Sequence, residues 1–443
     1  MEAFMKKFTA LLLVVLMVVV LVPFGAFADT TWTEVKTAEQ FAAMKDGNYW
    51  LTADIDLSKA TWTTIAEFTG TLNGNGHTVT VPADAPIFDN LKGTVKNVNL
   101  KGTCTLDVGD KGSYVAANTF ANAGVGVLAN YACGATVTNV KSEAKVSYNG
   151  DHANFGGLFG NASAASAEKK TVITNCVVGG ELNYKTSGSG EVPTGGLIGF
   201  ACGGVEVYNT EVCVKGTFAG GAQDTGAFVG YALFNGTGSE YAPTLFENCL
   251  FSGELNVNNA NRVAFAGQAK GITIKNCFMN GTITSSGNVA HFAGWGNVGN
   301  QTPNNQTNTI EGSASVATLN GGGKHFSRIK TGNAFVKNCI LLADQPIGDG
   351  PVQAGNVTKE SAAELTTEFV TRNANTFKVV NGKVTLVQPT FTPEANPFGT
   401  TEGGNQGGNE GNIPTGDATI VLVAVALVSL AAVTVIAKKR ITE

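Results

Sequence analysis

Charge is what this chain has least of. Only 14% of its 443 residues are Asp, Glu, Lys or Arg, against about 25% in an ordinary soluble domain. The net charge of -5 is mild and gives no electrostatic basis for nucleic-acid binding. Long helix-forming runs of Glu, Lys and Leu are missing. Histidine occurs four times, as His77, His152, His291 and His325. None stands in a metal-ligand spacing, so each reads as a surface or corner residue, and no Cys-x-x-C suggests zinc. No metal and no cofactor are expected.

What is present points to β-structure. The chain carries 56 Gly, where average usage would give roughly 31, with many Asn, Thr and Val. This is a strand-rich composition with frequent tight turns. Residues 70–81, "GTLNGNGHTVTV", show it in miniature: a glycine-rich corner, where φ > 0 is free of steric cost, then an alternating strand.

From about 47 to 345 three pieces recur. The first is a small apolar box: Val127-Leu128-Ala129, Gly157-Leu158-Phe159-Gly160, Gly196-Leu197-Ile198-Gly199, Ala227-Phe228-Val229-Gly230, Ala264-Phe265-Ala266-Gly267 and Phe292-Ala293-Gly294. The second is an Asn followed by a small or apolar residue, led by Asn97, Asn139, Asn175, Asn209, Asn248, Asn276 and Asn338. The third is a Gly followed by a short alternating strand. The boxes return every 27 to 39 residues or so, a repeat spacing. A unit of three short strands and three turns buries nothing alone, so the units must stack. The predicted fold is all-β: a right-handed parallel β-helix of about eight or nine coils. Its corner Asn amides are expected to stack from coil to coil, satisfying backbone that a bend leaves unpaired. Gaps such as 161–170 and 234–243 read as loops on one side.

Four cysteines, Cys176, Cys249, Cys277 and Cys339, share the position after Asn. They read as an inward column of small apolar side chains rather than a disulfide framework. Ahead of the repeats, Thr37 with Gln40 forms a candidate capping box for one short helix. Beyond them, 360–370 reads as a helix and 376–387 as a hairpin around Asn381-Gly382. Together these are expected to cap the last coil. Residues 388–411 are Pro, Gly, Asn and Glu with hardly an apolar side chain, the composition of a flexible spacer.

The two ends suggest export. Lys6 and Lys7, an apolar run and Ala26-Phe27-Ala28 have the order of a signal peptide. Residues 418–437 form an uncharged apolar stretch of about 20 residues, enough to span a bilayer as a transmembrane helix. Lys438, Lys439 and Arg440 follow, placing the tail inside the cell. The expected organisation is signal peptide 1–28, N-terminal cap 29–46, repeats 47–345, C-terminal cap 346–388, linker 389–411, and sorting signal with anchor 412–443.

Residues 412–417, "NIPTGD", resemble the sorting signal of Gram-positive surface proteins. The resemblance implies that a sortase cuts between Thr415 and Gly416 and joins the chain to peptidoglycan. Ile413 stands where that family has Pro, so attachment to the wall and retention in the membrane both stay open. Likewise "FTGTLNGNGHTVTV" and "IFDNLKGTVKNVNL" resemble the start of the pectate-lyase-like β-helix of bacterial surface proteins. The Gly-Leu-hydrophobic-Gly boxes are similar to a short repeat common among them.

That resemblance implies the fold and leaves activity open. "RIKT", from Arg328 to Thr331, matches a substrate-binding element of polygalacturonases, but that family's Asn-Thr-Asp, paired-Asp and Gly-His-Gly motifs are absent. Asp54 and Asp56 form the nearest acidic cluster, and no paired carboxylates stand on a repeat strand to hydrolyse a glycoside. The expected role is therefore not enzymatic. It is an adhesin or a module binding an extracellular glycan or protein at the cell surface, with Tyr231, Tyr241 and Trp295 as candidate ligand contacts. The alternatives are a polysaccharide lyase or hydrolase, and a structural stalk.

Overall fold

The computed structural model describes residues 31–59, 61–106, 124–150, 153–185, 192–220, 224–233, 243–258, 262–296, 307–329, 334–348 and 352–398. The signal peptide, the Thr415–Gly416 bond and the 418–437 span lie outside them. Among the described residues no helix is long and apolar enough to cross a membrane.

The chain winds through three parallel sheets. Among the described residues sheet 1 has twelve strands, from Trp32–Val35 to Val352–Ala354; sheet 2 has eleven, from Ile55–Asp56 to Val357–Lys359; sheet 3 has seventeen. One turn shows the plan. Thr136–Thr138 lies in sheet 1, Lys141–Ser142 in sheet 2, and Lys145–Asn149, Asn154–Gly156 and Phe159–Ser163 in sheet 3. A loop at 164–170 then returns the chain to sheet 1 at Thr171–Thr174. This is a parallel β-solenoid.

Stacking in register builds the core. In sheet 1, Leu72, Val95, Val137, Ile173, Val207, Phe246, Ile274, Ile310 and Val336 are successive partners. All are buried, and full burial of each such side chain contributes about 1.5–3 kcal/mol. The Gly-Leu-hydrophobic-Gly box is a bend inside sheet 3. A Cβ on Gly160 would lie 1.9 Å from the Val125 nitrogen of the neighbouring turn, so backbones pack there with no room for a side chain.

The bend between sheets 1 and 2 is where asparagine recurs. Asn97, Asn139, Asn175, Asn209, Asn248, Asn276 and Asn338 all have φ between 47° and 59°, the left-handed region that Asn tolerates best after Gly. Each donates its backbone N–H to a carbonyl of the next rung at 2.8–3.1 Å. The column after it holds Val98, Val140, Cys176, Thr210, Cys249, Cys277, Ser313 and Cys339, all buried. Cys176 N–H donates to Thr210 Oγ1 at 3.3 Å, Cys249 N–H to Cys277 Sγ at 3.4 Å and Cys277 N–H to Ser313 Oγ at 3.0 Å. The column thus supplies acceptors to backbone that the bend leaves out of the ladder. Cys104, Cys176, Cys249, Cys277 and Cys339 are buried free thiols.

Three features differ from expectation. The solenoid has more rungs than about eight or nine: sheet 1 alone has twelve strands. Strands at both ends were missed, and the bends at Gly312 (φ 59°) and Gly355 (φ 65°) use glycine where the repeat has Asn. Within "GTLNGNG", Thr71–Asn73 is itself a strand and the corner follows it. The third difference concerns the cap. Helix α1 (Ala38–Ala42) forms with both halves of its Thr37/Gln40 capping box. Helix α2 (Ala362–Arg372) and the hairpin Phe377–Val380/Lys383–Leu386 also form. However, they lie along the flank of sheet 2 rather than over the last turn, which extends to Lys359. Leu250, Phe278, Ala314 and Ile340 point outward there and cluster with Leu365, Phe369, Phe377, Val384 and Leu386. The Phe278 and Phe369 rings are 4.7 Å apart.

Candidate binding site

The asparagine bends form a ridge, and two clefts open along it. Amide-to-amide bonding covers only its first steps. Asn97 Nδ2 donates to Asn73 Oδ1 at 3.0 Å, and Asn139 Nδ2 to Asn97 Oδ1 at 3.0 Å. From Asn175 to Asn276 the backbone ladder and the hydroxyls and thiols of the next column join the bends.

The larger cleft, about 470 Å³, opens where the amide ladder stops. One wall is ridge: Asn75, Asn97, Asn99, Asn139, Lys141 and Asn175. The other is the segment expected to be linker: Gln388, Pro389, Phe391 and Pro393. The prolines fix an extended backbone and have no N–H to satisfy. Gln388 Nε2 donates to the Asn209 carbonyl at 3.5 Å, and Lys96 pairs with Glu394 at 2.7 Å. The Phe391 ring sits against Gly76, whose φ is +85°; a Cβ there would lie 2.8 Å from the ring. A second cleft, about 350 Å³, lies between Glu247, Asn248 and Asn276 and residues 371–376 at the end of α2.

Sheet 3 carries a different polar group. Phe200, Tyr231, Gln268 and Trp295 are successive partners on one column. Arg262 NH1 donates to Asp224 Oδ1 at 3.1 Å and to Gln268 Oε1 at 3.0 Å. Its guanidinium lies 5.3 Å from the Trp295 ring centroid, and Lys270 Nζ lies 5.5 Å from that of Tyr231. Arg328 NH1 donates to the Gly294 carbonyl at 3.1 Å. Burial, and the charge of Arg262, hold the Arg328 guanidinium below its usual range. Asp224 is wholly buried.

Of the three candidate contact aromatics, Trp295 is half-buried, Tyr231 is 1% exposed, and Tyr241 lies outside the described residues. Tyr231 packs edge-on against Phe200 at 5.2 Å and is out of a ligand's reach. His291 is also interior, not at a surface or corner. Its Nδ1 lies 2.7 Å from Ser315 Oγ, and Gln345 Nε2 lies 3.3 Å from its Nε2. The Gln345 amide can only donate, so Nε2 accepts and Nδ1 carries the proton toward Ser315. The ring therefore cannot act as a base on that hydroxyl. Burial lowers its pKa to about 4. Among the described residues no group of His, Cys, Asp or Glu is arranged to hold a metal ion.

The sequence reading missed the docked tail and the flank of sheet 2. The flank had a signal. Two places after each bend stand Lys141, Val177 and Glu211, and then Leu250, Phe278, Ala314 and Ile340. Charged residues at two of the first three positions give way to an unbroken apolar run where α2 and the hairpin pack.

No family model and no curated protein matches the chain. Similar solved structures include one described as a candidate immunoglobulin A1 protease from Bacteroides ovatus, with TM-score 0.41 and 16% identity, covering 82% of this chain and 94% of that one. Another is titled IgA1 Protease, with TM-score 0.41 and 15% identity, covering 84% of this chain and 26% of that one. Likeness at this level carries no argument about what this chain does.

Proposed function

We propose that the chain is a surface-displayed interaction module, an adhesin or a glycan- or protein-binding β-solenoid. Its coils are taken as right-handed, as parallel crossovers almost always are. The observation that carries the reading is the amide-lined ridge with its clefts, a neutral hydrogen-bonding surface on a rigid stack. Export by the 1–28 segment and anchorage through 412–443, by a sortase at Thr415–Gly416 or by the apolar span, belong to the same proposal.

One observation favours a second reading, a polysaccharide-active enzyme: Asp224 and Arg262 meet on adjacent rungs with Arg328 nearby. Against hydrolysis, that cluster holds a single carboxylate, bonded to Arg262 and buried, where two reachable ones are needed. A glycan array run beside a reducing-sugar release assay on the purified chain tests the two. Binding without release is expected; turnover of any polymer would install the enzyme reading instead.

A further inference from the structure

We infer that the cleft between the asparagine ridge and the docked tail is a binding site for a neutral saccharide. The inference rests on the binding-module reading and names its ligand class and place. The cleft's volume of about 470 Å³ falls within the range of small-molecule sites. Its polar groups are mostly amides, side chains that carry both a donor and an acceptor, as a pair of vicinal hydroxyls demands; Asn97 spends both on its neighbours. Asn139 gives its N–H to Asn97, which leaves its own carbonyl oxygen for a ligand. Asn175, the next amide along, continues no ladder and faces the cleft.

Charge selects against an anion. Lys96 is paired with Glu394 and Lys141 with Glu143 at 2.6 Å, so no unbalanced cation remains at this wall. Opposite the amides stands Phe391, 39% exposed, between Pro389 and Pro393. An aromatic face flanked by proline rings suits the C–H face of a pyranose. A peptide strand fits less well. The bend N–H groups already bond to the next rung, so no free ladder edge is offered for strand addition.

The test uses the full-length chain on an array of neutral and acidic oligosaccharides, with Phe391→Ala, Asn175→Gly, which keeps the left-handed bend, and, as a surface control, Val379→Ser. Phe391 packs on Gly76 and is 39% exposed, so melting temperature and hydrogen exchange over 388–394 are read for each variant to separate lost docking from lost ligand contact. Binding of a neutral glycan that weakens about fivefold to tenfold in each of the first two variants, and not in the control, is the expected result. Binding of a neutral glycan at equal strength by all variants would overturn the cleft while leaving the module reading intact. Preference for acidic glycans would overturn the neutral class. No binding to any glycan would overturn the inference, with the broader reading then resting on protein ligands.

Discussion

Asn139 donates its side-chain amide to Asn97 Oδ1 at 3.0 Å, one rung away, while its backbone holds φ at 54°. The residue therefore does two jobs, and substitutions separate them. Asn139→Gly keeps the left-handed bend and loses one hydrogen bond, for an expected cost of about 0.5–1.5 kcal/mol. Asn139→Ala adds the left-handed penalty of about 1–2 kcal/mol. Denaturant melts of both variants should rank Ala below Gly; the reverse order would show that the left-handed bend carries no penalty for Ala at this position.

The flank of sheet 2 should come away before the rungs do. Phe369 is buried against Phe278 and Phe377, at 4.7 and 5.0 Å. Phe369→Ala removes about 3–5 kcal/mol of packing. Hydrogen exchange by mass spectrometry should then accelerate in α2 and the 377–386 hairpin, with the strands of sheet 1 still protected.

His291 makes stability fall in mild acid. Its folded pKa is about 4 against an ordinary value of 6.5. Between those values the unfolded chain binds a proton that the folded chain does not, so stability rises with pH across that window. It should decline from pH 6.5 towards 4 and lose this dependence below. In His291→Gln, thermal melts across the window should show a flatter profile than wild type.

The inward cysteines should be inert. Burial pushes the Cys176 and Cys339 thiols up to about 12 and raises Cys277 as well, and the thiolate is the reactive form. Alkylation of the native chain at pH 8 should leave Cys176, Cys249, Cys277 and Cys339 unmodified, with labelling only after unfolding. Labelling of this column in the native state would mean that the rungs open.

Much of this architecture was legible because its bends are chemical events. A left-handed turn after each sheet 1 strand calls for Asn, and the next residue must be small and inward; Asn175-Cys176 and Asn276-Cys277 show both at once. Gly312 and Gly355 hid two bends because glycine meets the same need without the signature. The candidate site was less legible. Phe391 and Gly76 meet only through tertiary docking, and a Pro-rich segment with one aromatic reads locally as spacer. Tyr231 misled for the opposite reason. It stands at the edge of a long gap in the repeat, yet its register neighbours Phe200 and Gln268 are buried with it.

The route of the tail ties late chain to early rungs. After the hairpin the chain doubles back past Asn209 to Gly76 and Lys96, so the early rungs are clasped by a segment 298 positions further along the sequence. Peeling the late chain from the first rungs must break the Lys96–Glu394 pair.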